Sequence, residues 1–176
     1  GILAFPVVIF VATFTQATFG DGNNWEWGPA GVIVLPTLLA IVVRGKYPSY
    51  VFTFNHALIE LSTRLAAYVL ILNDKYPSIE ESDYVTITFP DVEGGAKLNR
   101  YLPLVKWLLA LPLYIVGAVY AIYGFAVLIF TWFTILFTGK MPAFSAEVLL
   151  GVTQYWNRIY GYAFLLVTDE YPSFSL

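Results

Sequence analysis

The chain has no cysteine, which excludes disulfides, thiolate metal sites and cysteine nucleophiles together. One histidine and one methionine leave little imidazole or thioether chemistry. Any Ser–His–Asp set would have to use His56, and neither a zinc-ligand spacing nor a P-loop occurs. Charge is scarce as well. It falls on 12% of the 176 residues, where soluble domains carry about a quarter. With a net charge of −3 and no basic block, the chain offers nucleic acid nothing to hold. A non-enzyme with no metal site is the expectation.

What fills the chain instead is hydrocarbon: 59% of residues are hydrophobic, 18% are aromatic, and the mean hydropathy is +0.70. Residues 107–139 run for 33 positions without a charge, between Lys106 and Lys140. A stretch of about 20 apolar residues crosses a ~30 Å hydrocarbon core. Two or more runs share the enrichment, so the expectation is an integral membrane protein of several passes and not an anchored soluble domain. Inserted helices are expected over residues 3–19, 30–43, 104–120 and 125–137. Pro6 suits a helix start but not a helix interior. The run at 107–139 would extend ~50 Å as one helix, long for one crossing and tight for two. Gly1 stands almost at the start of an apolar run with neither an initiator Met nor a charged leader. That pattern points to further chain upstream.

Residues 20–28, rich in Gly, Asn and Asp, read as a loop, and Trp25 and Trp27 suit a membrane–water boundary. The hairpin tip carries Asp21 and Glu26, and its base carries Arg44 and Lys46, so the base is expected on the cytoplasmic side. Residues 50–73 place Thr53, His56, Glu60, Thr63, Arg64 and Ala67 along one stripe, with Phe54, Leu58, Leu61, Leu65, Tyr68 and Leu72 largely opposite. That is an amphipathic helix. Its stripe either faces water at the interface or packs inward within the membrane. Residues 79–100 form a polar connector. Within it residues 84–89 alternate as a short strand, and Pro90 ends it. Such a strand needs a partner. Lys106 is placed to snorkel from the start of the long run.

The chain also repeats. LAFPVVI at 3–9 matches LALPLYI at 109–115, GKYPSY at 45–50 matches GKMPAF at 139–144, and NDKYPS at 73–78 matches TDEYPS at 168–173. Arg64 falls opposite Arg158. Two tandem copies of a helical hairpin plus amphipathic helix are therefore expected. The first occupies residues 1–78, with its N-terminal part missing, and the second 101–176, with residues 79–100 between. The basic positions coincide in the two copies, which favours parallel copies.

The segments LNRYLPLVKWLLALPLYIV, LFTGKMP and RIYGYAFLLVTDEYPSFSL resemble the domain-of-unknown-function family 4389 in its two-copy form. LPTLLAIVVRGKYPSY and LSTRLAAYVLILNDKYPS resemble the same family in the first copy. The resemblance implies a bacterial inner-membrane protein with no accepted activity. Its members begin with a strand ending in an aromatic–Pro pair and then an LNR-like entry, found here only at 85–90 and 98–100.

The candidate site is the polar stripe. His56, Glu60 and Arg64 stand at i, i+4 and i+8, and Leu150, Gln154 and Arg158 occupy those positions in the second copy. As a functional group the stripe reads as a proton relay or as a contact for a polar ligand or lipid headgroup. As a structural one it is an i,i+4 ion pair on a packed face. His56 as an axial ligand to haem or pigment is the weakest alternative. Arg64 and Arg158 suit either an anionic lipid or neighbouring carbonyls and carboxylates. No cofactor is required, although the aromatics would accept bound lipid, quinone or a hydrophobic pigment. The expected function is a non-catalytic membrane subunit or scaffold, with membrane lipids and other membrane subunits as partners. The alternative is binding or transport of a lipid or small hydrophobic ligand.

Overall fold

The computed structural model describes residue 34 and residues 36–78, 80 and 84–176. A π-helical turn at Ala40–Arg44 leads into α1, Ser49–Val69. A 3-10 turn at Glu93–Gly95 follows, and then come α2 at Pro103–Leu109, α3 at Leu111–Thr138 and α4 at Ala143–Ala163. The inserted segment expected over 3–19, the loop 20–28 and the start of the segment 30–43 lie outside the described residues.

The Gly-Lys-X-Pro motif marks two equivalent corners. Gly45 (φ 62°) and Gly139 (φ 68°) close the preceding helices in the left-handed region, where a Cβ is resisted. Pro48 and Pro142, both extended (ψ 126° and 137°), start α1 and α4, which have 21 residues each. Beyond their C-termini, Ile71 (φ 61°) and Leu166 (φ 58°) turn the chain with non-glycine residues in the left-handed region. Such positions hold only when surrounding contacts fix them, and Leu166 is fully buried.

The second copy corrects the expected architecture. Residues 104–120 and 125–137 do not form a hairpin. They belong largely to α3, one unbroken helix of 28 residues, about 42 Å long. Nothing between Tyr120 and Phe125 interrupts the ladder, since Gly124 alone is tolerated within an apolar helix. The break comes earlier, at Ala110 (ψ −10°), just ahead of Pro112 in the first turn of α3. Proline has no N–H to give to the preceding turn and disfavours helix at the residue before it. Among the described residues α3 is the one helix long and apolar enough to cross a membrane. The expected multi-pass integral membrane fold is therefore not supported: the described residues form an all-helical arrangement with a single such helix. α4 packs antiparallel along α3, with Phe130 near Phe144 at one end and Tyr155 Oη donating to the Leu113 carbonyl (3.0 Å) at the other. Gly117 makes that approach close: a Cβ there would lie 3.0 Å from the Trp156 ring.

The expected strand is corrected too. Residues 84–90 contain no strand, and none occurs among the described residues. The backbone groups of Ile87 are taken by α1 instead. Its N–H donates to Glu60 Oε1 (3.3 Å), and its carbonyl accepts from His56 Nε2 (2.6 Å). Alternation in the sequence had signalled an extended segment with one buried side, which a helix covers as well as a second strand.

Residues from both halves build one core, in which Ile41, Tyr47, Val51 and Ile59 meet Leu165, Leu166 and Val167. Tyr47 joins the halves directly. Its hydroxyl donates to the Leu165 carbonyl (2.7 Å) and accepts from Asn55 Nδ2 (3.0 Å). Burial pushes this phenol up to about 12, against its hydrogen bond from Asn55. The unfolded chain ionises Tyr47 near 10, so between pH 10 and 12 the folded state holds more protons and stability falls as pH rises. The loss is about 2–3 kcal/mol in all. Denaturant titrations at stepped alkaline pH should show this decline, and Tyr47→Phe should remove that part of it while costing about 1 kcal/mol at neutral pH through the lost hydrogen bonds.

Candidate functional site

The polar stripe is divided between two jobs. In α1, Arg64 is 3% exposed. Its Nη1 donates to the carbonyls of Ser78 (3.0 Å) and Glu80 (2.7 Å), and its Nη2 to Glu60 Oε2 (3.2 Å). Glu60 also accepts the Ile87 N–H, and His56 donates to the Ile87 carbonyl while its ring meets Phe89 edge-on. The Glu60–Arg64 end of the stripe is therefore turned toward the protein, while Thr53 is exposed and His56 is half-buried. The stripe grips the connector that leaves the first half, using side chains where a sheet would use a neighbouring backbone. His56, Glu60 and Arg64 are brought together, and their hydrogen bonds run to the protein's own chain.

In α4 the corresponding residues form no ion pair among the described residues. Leu150 and Gln154 are exposed. Arg158 Nη2 donates to the Ser175 carbonyl, which matches the bond from Arg64 to Glu80 one half earlier. The guanidinium also lies 5.8 Å from the Tyr155 ring. Its Nε, though buried, has no partner. Asn157, beside it, donates to Thr63 Oγ1 (2.8 Å), a bond between residues 94 apart that joins α4 to α1.

Arg158 lines an open-sided cavity of about 950 Å³ between α1, α4, the connector and the C-terminal tail. Ile59, Ile87, Phe89, Leu98 and Val167 supply much of its wall. The volume fits the usual small-molecule site, and the lining mixes these apolar side chains with charged ones, Asp91, Lys97, Arg158, Asp169 and Glu170. Sequence patterning could not find this cavity, because its wall is drawn from four separate segments.

Asp169, in the cavity lining, belongs to an ion pair with Lys106. Lys106, fully buried, stands 2.7 Å from Asp169 Oδ1 and donates to the Thr168 carbonyl (2.6 Å). Asp169 Oδ2 accepts the Asn99 N–H (2.6 Å), and the Tyr162 ring lies 5.1 Å from the ammonium. Burial pulls the Lys106 ammonium below its ordinary value, with Asp169 opposing that shift. Lys106 therefore does not snorkel toward an interface as expected. It turns inward and ties α2 to the tail.

Residues 103–175 match the family described as Domain of unknown function (DUF4389). This part of the chain is similar to that family. The DUF4389 segment includes α2, α3, α4, the Lys106–Asp169 pair and Arg158. The likeness expected of the first half lies outside the matched residues. No curated protein and no solved structure matches the chain.

Proposed function

We propose that the protein is a non-catalytic, membrane-seated subunit that works by helix and lipid contacts within a larger assembly. The observation that carries this reading is the bare face of α3. Only 22% of its most apolar stretch is buried. Ile115, Val119, Ile122, Ile129, Phe133 and Leu136 recur at helical spacing and are each at least 45% exposed. An apolar stripe of that length requires lipid or a partner helix against it. At about 42 Å, α3 exceeds a ~30 Å hydrocarbon core and would tilt or reach into the headgroups. The family resemblance supports the bacterial cytoplasmic membrane as the setting of this reading. α4 covers one side of α3, and the bare side is the surface for a neighbouring subunit.

The test is native extraction in mild detergent, followed by sizing and mass spectrometry. The chain should migrate with other membrane proteins at fixed ratio, and Ile122→Lys should release it from them. A lone monomer carrying only lipid would sink this proposal. So would recovery of the chain in the soluble fraction without detergent.

A further inference from the structure

We propose that the cavity beside Arg158 binds an amphiphile whose single anionic head, a carboxylate or a phosphate monoester, pairs with that guanidinium. The first half of the molecule supplies the comparison. Arg64 carries its own carboxylate, since Glu60 one turn earlier sits 3.2 Å from it. Gln154 stands at the same place before Arg158 and is neutral. The backbone carbonyl bond is kept in both halves, at Glu80 and at Ser175. What the second half lacks is the anion.

Among the described residues no carboxylate lies within ion-pair distance of Arg158. Of the three acids in the lining, Asp169 is already taken by Lys106 and the Asn99 N–H, Asp91 accepts the Glu93 N–H, and neither Asp91 nor Glu170 pairs with Arg158. The other cation of the lining, Lys97, is paired with Glu93 (2.7 Å) at the exposed rim. Arg158 thus presents an unpartnered Nε, and a guanidinium without a direct ion pair, to a cavity with apolar walls and the acids Asp91 and Glu170 at its lining. A guanidinium there favours an oxyanion that accepts two parallel hydrogen bonds. The walls from Ile59, Ile87, Phe89 and Val167 favour a hydrocarbon tail over a purely polar ion. The membrane is the natural source of such a molecule, although the site would take the same chemistry from solution.

The full chain, purified in a neutral maltoside detergent, would be titrated with oleate, dodecyl phosphate and dodecanol, with binding followed by native mass spectrometry. One molecule of oleate or dodecyl phosphate should bind per chain, with dodecanol at least about tenfold weaker. Whichever acid binds more tightly assigns the head as carboxylate or phosphate. Two variants separate binding from folding. Arg158→Gln removes the head contact and should lose about tenfold or more in affinity. Gln154→Glu restores the internal carboxylate seen at Glu60, so it should lose affinity for both acids while melting no lower than the parent. Equal binding of dodecanol and the acids would overturn the proposal. So would unchanged acid binding in Gln154→Glu.

Discussion

Replacing Lys106 with methionine should lower folding stability by about 3 kcal/mol. The substitution keeps the length of the apolar stem and removes the ammonium, which leaves Asp169 without its partner at a side chain that is only 23% exposed. It also strands the Thr168 carbonyl, now bonded at 2.6 Å. The pair itself adds little net stability, because burial outweighs the attraction of Asp169 in setting the lysine's proton affinity. Replacing both members is therefore expected to behave differently from replacing one. Lys106→Met with Asp169→Asn keeps an acceptor for the Asn99 N–H and should recover most of the loss. Urea or thermal unfolding in detergent of the two single variants and the double gives the coupling directly. A double variant no better than Lys106→Met would show that the cost comes from packing and not from the stranded charge.

Replacing Arg64 with leucine should cost about 3–5 kcal/mol, the range for breaking a buried, hydrogen-bonded charge network. Three bonds go at once: those to Ser78, Glu80 and Glu60. Glu60, 15% exposed, keeps the Ile87 N–H but loses its cation. Arg64→Lys keeps the charge without the planar fork and should fall between the two. Arg158→Leu is the control, at about 1 kcal/mol or less, because its single carbonyl bond at Ser175 lies at the exposed surface. Protease sensitivity within residues 78–90 should rise in Arg64→Leu and stay unchanged in Arg158→Leu. Equal costs at the two arginines would mean that the halves use them alike.

By itself the sequence determined the local events. Proline after Gly-Lys set the starts of α1 and α4, because proline fits a helix entry and glycine a helix exit. The 3.6-residue spacing of His56, Glu60 and Arg64 put them on one face before any fold was known. The run at 107–139 declared apolar surroundings through composition alone. These are properties of neighbours along the chain, and periodicity reports them. Tertiary structure decided the rest. Whether residues 104–137 fold as a hairpin or as one helix depends on where the ladder breaks, and the break at Ala110 leaves no turn downstream. Whether residues 84–89 pair with a strand depends on what covers them. Here the Glu60 and His56 side chains take the backbone groups of Ile87. Lys106 looked free to snorkel until Asp169, 63 positions later, was folded against it. The cavity at Arg158 exists only where α1, α4, the connector and the tail converge, and no window of sequence contains all four.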